Sequence, residues 1–81
     1  MRTAEVVLAR GIRAGVRGLV IVLDDREVTV PWEKCGPLVA RASDEDRRRA
    51  ELSPGGYGVR WPLLDEDLSV GGLVTRVEGK N

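Results

Sequence analysis

A small α+β fold is what this sequence predicts: an antiparallel, meandering sheet of about four or five strands with two or three short helices. Three observations predict it. Apolar residues recur with a period near two through the first third of the chain. Beyond Pro31 the spacing and punctuation become helical, and after Pro54-Gly55-Gly56 the alternation returns. At 81 residues there is room for one hydrophobic core, so residues 1–81 are expected to form a single domain.

The elements follow in order. Val6, Leu8 and Ile12 share a parity and suggest an imperfect first strand, interrupted by the loop-like Arg13–Gly18. Leu19–Leu23 is a continuous aliphatic run, Asp24-Asp25-Arg26 a polar turn, and Glu27–Val30 an alternating strand with Val28 and Val30 inward. Two such runs around a short Asp-rich turn predict a β-hairpin. In the central run Leu19, Ile21 and Leu23 face one side while Val20 and Val22 face the other. A small antiparallel sheet normally leaves one face wet. The chain's own short helices, a second copy or a cognate partner must cover the second face. The helices offer little area, so a homodimer through Val20 or Val22 is expected.

Pro31 ends the hairpin because it has no N–H for a ladder. Gly36-Pro37 opens a helix, with Leu38, Val39 and Ala42 on one face. Ser43 then caps a second helix whose first turn is acidic (Asp44-Glu45-Asp46) and whose end, Arg47-Arg48-Arg49, is basic and solvated. Glu51–Ser53 and Tyr57–Trp61 flank a Pro54-Gly55-Gly56 type II turn, with Tyr57, Val59 and Trp61 on one side. Asp65, Asp67 or Ser69 caps a last helix from Val70 to about Val77, weakened by Gly71 and Gly72.

Composition excludes several functions. Thirteen Lys+Arg balance thirteen Asp+Glu, whereas nucleic-acid binders draw most of their affinity from a basic excess. Nucleic acid is thus not expected as a partner of this chain alone. There is no histidine and one cysteine, Cys35. The commonest general base is missing, the thiol has no base to activate it, and one chain cannot close a soft-metal site. No enzyme activity, metal or cofactor is expected. A lone cysteine cannot form an internal disulfide, residues 1–10 lack a signal-peptide core, and no run approaches the ~20 apolar residues of a membrane span. A cytoplasmic location is the expectation. Pro54–Gly58 lacks the Lys-Ser/Thr of a phosphate loop and precedes a strand, so it reads as a turn.

Two groups are candidate partner contacts. Asp65-Glu66-Asp67 reads first as a helix cap with solvated neighbours, and second as an acidic surface facing a basic partner. Three adjacent acids lack the ligand spacing of a calcium loop. Trp32, Tyr57 and Trp61 read as core, although aromatic residues also anchor interfaces. The candidate contacts are Trp61, Asp65, Glu66 and Asp67.

Asp25–Pro31, Pro37–Arg47 and Gly55–Leu73 together carry a resemblance. The hairpin with its Val30-Pro31 exit, the Pro37-Leu38-Val39-Ala40-Arg41-Ala42-Ser43 stretch and the Trp61-Pro62-Leu63-Leu64-Asp65-Glu66-Asp67-Leu68-Ser69-Val70 block are similar to the small bacterial proteins of domain-of-unknown-function family 2442. The chain departs from that pattern at Trp32–Gly36, where an aromatic–proline pair is usual, and at Arg60, where a histidine or another polar residue is common. The resemblance implies a compact α+β domain with no established activity or cofactor. It also implies, for some relatives, an antitoxin-like partnership with a small neighbouring toxin-like protein. The function expected is a noncatalytic protein-interaction module of that kind. The alternative is a homodimeric regulatory or small-ligand-binding domain.

Overall fold

The computed structural model describes residues 7–79. Two three-stranded antiparallel sheets share one core. The first comprises β1 (Gly11–Ala14), β2 (Gly18–Val22) and β3 (Glu27–Pro31) in that order. The second comprises β4 (Glu51–Leu52), β5 (Gly58–Trp61) and β6 (Glu66–Ser69), also in chain order. Between them lie two single-turn helices, α1 (Pro37–Ala40) and α2 (Asp44–Arg47), and the chain closes with α3 (Val70–Glu78). The small α+β fold is as the sequence predicts, with two sheets in place of one meander.

The first hairpin corrects an expectation. Arg13, Ala14 and Gly18 belong to strands, and the turn is only Val16-Arg17, closed by the Gly15 N–H donating to the Gly18 carbonyl at 2.8 Å. Gly18 is a glycine for proximity: a Cβ there would collide with the Val30 carbonyl on β3. Of the proposed first-strand residues, Leu8 is exposed and precedes β1, while Val6 lies outside the described residues. The second turn, Asp24-Asp25, is as expected, with the Leu23 N–H donating to the Arg26 carbonyl at 2.8 Å.

Register sorts the first sheet's two faces. Ile12 and Ala14 pair with Ile21 and Leu19, which pair with Val28 and Val30, and this layer faces the core. On the other face Arg13 stands beside Val20 and Glu27 beside Val22. The Arg13–Glu27 ion pair (3.1 Å) therefore crosses over the central strand. Val20 is only 8% exposed and Val22 is half-buried. Within one chain the outer face is thus more covered than alternation alone predicts.

Capping shapes the middle and the end. Ser43 accepts the Asp46 N–H at 3.1 Å, as its place before three acids predicts. α1 is too short to bury a stripe: Val39 is enclosed, but Leu38 is exposed and Ala42 falls beyond the helix. In the Ser53–Gly56 turn, the Gly56 N–H donates to the Ser53 carbonyl at 3.0 Å, and Gly55 (φ 84, ψ −8) has the geometry of the third residue of a type II turn. At α3 the cap is Ser69, whose Oγ accepts the Gly72 N–H at 2.9 Å, and the helix stops at left-handed Gly79. Asp65 and Asp67 are not caps. The stretch read as a helix cap with solvated neighbours is instead a left-handed turn residue, Asp65, followed by strand β6.

Candidate functional site

Trp61 ends β5 with its side chain fully enclosed and its Nε1 donating to the Arg47 carbonyl at 3.3 Å. The core role expected of it holds, and its role as a partner contact is corrected: a fully buried ring presents no surface. Trp32 is buried as well. Tyr57 departs from the expected parity, because its backbone is αR (φ −80, ψ −33) rather than extended. It stands 58% exposed.

Arg47 is where the sequence misleads most. Read as part of a solvated helix end, it instead packs its guanidinium 5.1 Å from the Trp32 ring centre. It donates to the carbonyls of Val39 (3.1 Å), which also accepts the Ala42 N–H, and of Ala40 (2.6 Å) at the end of α1, and lies 3.5 Å from Asp44. One residue thereby joins α1, α2, the 3₁₀ turn Trp32–Lys34 and, through its main-chain carbonyl, β5. No signal in the sequence marks it, because both acceptors are main-chain atoms. Arg48 and Arg49 are exposed, as expected of a helix end.

Beside this joint, Ala14, Gly15, Val16, Trp32, Asp44, Arg47 and Arg48 line a cleft of about 230 Å³. It combines one carboxylate, two guanidiniums and an indole, with exposed Val16 also in its lining. Cys35 lies elsewhere in the core, fully buried, its Sγ donating to the carbonyls of Pro31 (3.6 Å) and Val30 (3.8 Å). Burial pushes its thiol up to about 11, against the opposing pull of the Arg76 and Arg47 charges.

The three acids follow the Trp61 end of β5. Pro62–Leu64 makes one 3₁₀ turn, and Asp65 follows in the left-handed region (φ 54, ψ 42), its N–H donating to the Pro62 carbonyl at 3.3 Å. This reverses the chain into β6. Glu66 then pairs with Trp61 and shares its face, half-buried, with Oε2 close to Gly36, whereas exposed Asp67 pairs with Arg60 on the other face. The turn presents Leu63 at 63% exposure beside exposed Asp65. Among the described residues none of the three acids forms an ion pair, while Asp24, Asp25, Glu27, Asp44 and Glu45 all do. The described residues also hold no group of three or more His, Cys, Asp or Glu side chains placed for a metal ion. No helix among them is long and apolar enough to cross a membrane.

No curated protein matches the chain. A crystal structure from Rhodospirillum rubrum ATCC 11170, itself described as a protein of unknown function, is similar with a TM-score of 0.76 and 26% identity, covering 93% of each chain. The family model described as "Protein of unknown function (DUF2442)" matches residues 11–79, and with nearly every described residue inside that match, the chain belongs to this family.

Proposed function

We propose that this domain is a noncatalytic protein-interaction module, the antitoxin-like partner of a small neighbouring toxin-like protein, and that it acts by covering that partner's surface. The observation that carries this reading is the Leu63–Asp67 segment. An exposed leucine stands beside carboxylates that no cation within the described residues engages, on a turn anchored by an enclosed tryptophan. Apolar contact with a charged rim suits a basic partner, the charges raising the on-rate more than the affinity. The buried, protonated thiol of Cys35 agrees with a noncatalytic role. The test is co-purification with the product of the adjacent gene. A stoichiometric complex is expected, weakened by Leu63→Ser and by Asp65→Asn. A complex indifferent to both substitutions, or no complex, overturns the reading.

A second reading, a homodimeric regulatory domain that binds a small ligand, is favoured by the Trp32–Arg47–Arg48 cleft and by half-buried Val22. Sedimentation showing a dimer with no hetero-complex supports it over the first.

A further inference from the structure

The hydrogen-bond phase of the second sheet leaves one edge open. The Val70 N–H donates to the Tyr57 carbonyl at 2.8 Å, just beyond the pair Gly58–Ser69. In an antiparallel ladder, bonded and non-bonded pairs alternate. Val59–Leu68 and Trp61–Glu66 are therefore the bonded pairs. Asp67 turns its main-chain N–H and C=O, and Ser69 its N–H, away from β5, while the Ser69 carbonyl, at the N-cap, accepts the first hydrogen bond of α3. β6 is the last strand of its sheet, and both residues are exposed. Exposed edges of this kind template the addition of another strand unless charge or shape prevents it.

The charges here are selective. A second copy pairing along β6 would bring Asp65, Glu66 and Asp67 against their own equivalents, and like charges across a strand pair repel. A strand bearing lysines or arginines meets carboxylates that form no ion pair within the described residues. We propose that β6 accepts an extended basic segment of the partner as an added strand, through the main-chain N–H and C=O of Asp67 and the N–H of Ser69. This rests on the interaction reading above and names its partner chemistry: a basic β-strand, not a helix and not a second copy.

The probe is a short peptide of alternating lysine and valine, with its glutamate–valine counterpart as control, read by residue-resolved amide hydrogen exchange on the full chain. The lysine peptide is expected to slow exchange at Asp67 and Ser69 by about tenfold or more while leaving β1 unchanged. Neutralising the acids (Asp65→Asn, Glu66→Gln, Asp67→Asn) is expected to weaken its binding about tenfold. Asp67→Pro removes an outward N–H that the fold does not use, and is expected to fold and lose binding. Absence of binding, binding without protection of those two amides, or equal binding of the acidic peptide overturns the proposal. So does their protection in concentrated protein alone, which makes a second copy the occupant. If the peptide fails while the Leu63-dependent hetero-complex forms, the edge proposal falls and the interaction reading stands. If the peptide pairs and no hetero-complex forms, the edge accepts basic strands and the interaction reading falls.

Discussion

Cys35 and Arg47 show how single side chains act through what surrounds them. The Cys35 thiol ionises near 9.0 when unfolded and near 11 in the fold, because burial disfavours the thiolate. Between those values the unfolded chain has lost the proton and the folded chain keeps it. Stability therefore falls as pH rises through the window from about 9 to 11. Urea titrations across that range are expected to show the decline, and Cys35→Ala to flatten it while lowering the whole curve. An unchanged slope in the variant shows that other groups carry the effect. Arg47 is expected to matter more than any other arginine. Removing it strands the Ala40 carbonyl and uncovers Trp32, so Arg47→Ala costs about 1–3 kcal/mol. Arg47→Lys recovers little, since an ammonium cannot span both carbonyls and stack on the indole. A loss under about 0.5 kcal/mol in denaturant titrations shows that water replaces these contacts. Arg48→Ala serves as the exposed comparison.

At the level of elements, β5 is the strand on which the second half of the molecule depends. It pairs with both β4 and β6, and its two inward residues, Val59 and Trp61, are fully buried. Trp61→Ala leaves a cavity beneath α2 and β6 and an unpartnered Arg47 carbonyl, at a cost of about 3–5 kcal/mol. In so small a domain that is expected to abolish the cooperative unfolding transition. A variant that still melts cooperatively near the parent temperature shows that the core closes over the gap. β5 was legible because Val59 and Trp61 alternate and Pro62 stops the strand. β6 was not, because Glu66, Asp67 and Ser69 lack strand propensity, and only its pairing with β5 holds them extended. α3 was legible to within about one residue, Val70 to about Val77 against Val70–Glu78, although the sequence left its cap open among Asp65, Asp67 and Ser69.

For the whole molecule, the main question is what covers the outer face of the first sheet. Val20 lies under its neighbours and the Arg13–Glu27 pair, while Val22 stays half-buried. The two valines are therefore expected to respond differently to charge. Val20→Lys buries an ammonium and lowers the unfolding midpoint strongly, whereas Val22→Lys leaves stability within about 0.5 kcal/mol. If this face also joins two copies, Val22→Lys converts a sedimenting dimer into a folded monomer. Equal destabilisation by both variants shows that Val22 is enclosed too. The surface ion pairs contribute little singly, but Arg26 grips Glu78 with two hydrogen bonds, at 2.7 and 2.8 Å, tying the β2–β3 turn to the end of α3.

By itself the sequence determined the local devices: the polar turn at Asp24-Asp25-Arg26, the Ser43 cap, the Pro54-Gly55-Gly56 turn, the inward parity of Val28 and Val30 and the shared parity of Val59 and Trp61. Each depends on a residue's own backbone preference or on side-chain alternation, which neighbours in the chain reveal. The candidate acids were legible as a charged cluster, but not as an edge strand. Only tertiary structure decided that Arg47 is a joint, that Trp61 is sealed from partners, that Glu66 turns inward while Asp67 faces out, and that Gly18 must lack a side chain. The reason is common to all four. They are settled by main-chain groups brought together from distant segments, and neither composition nor periodicity records where those groups will lie.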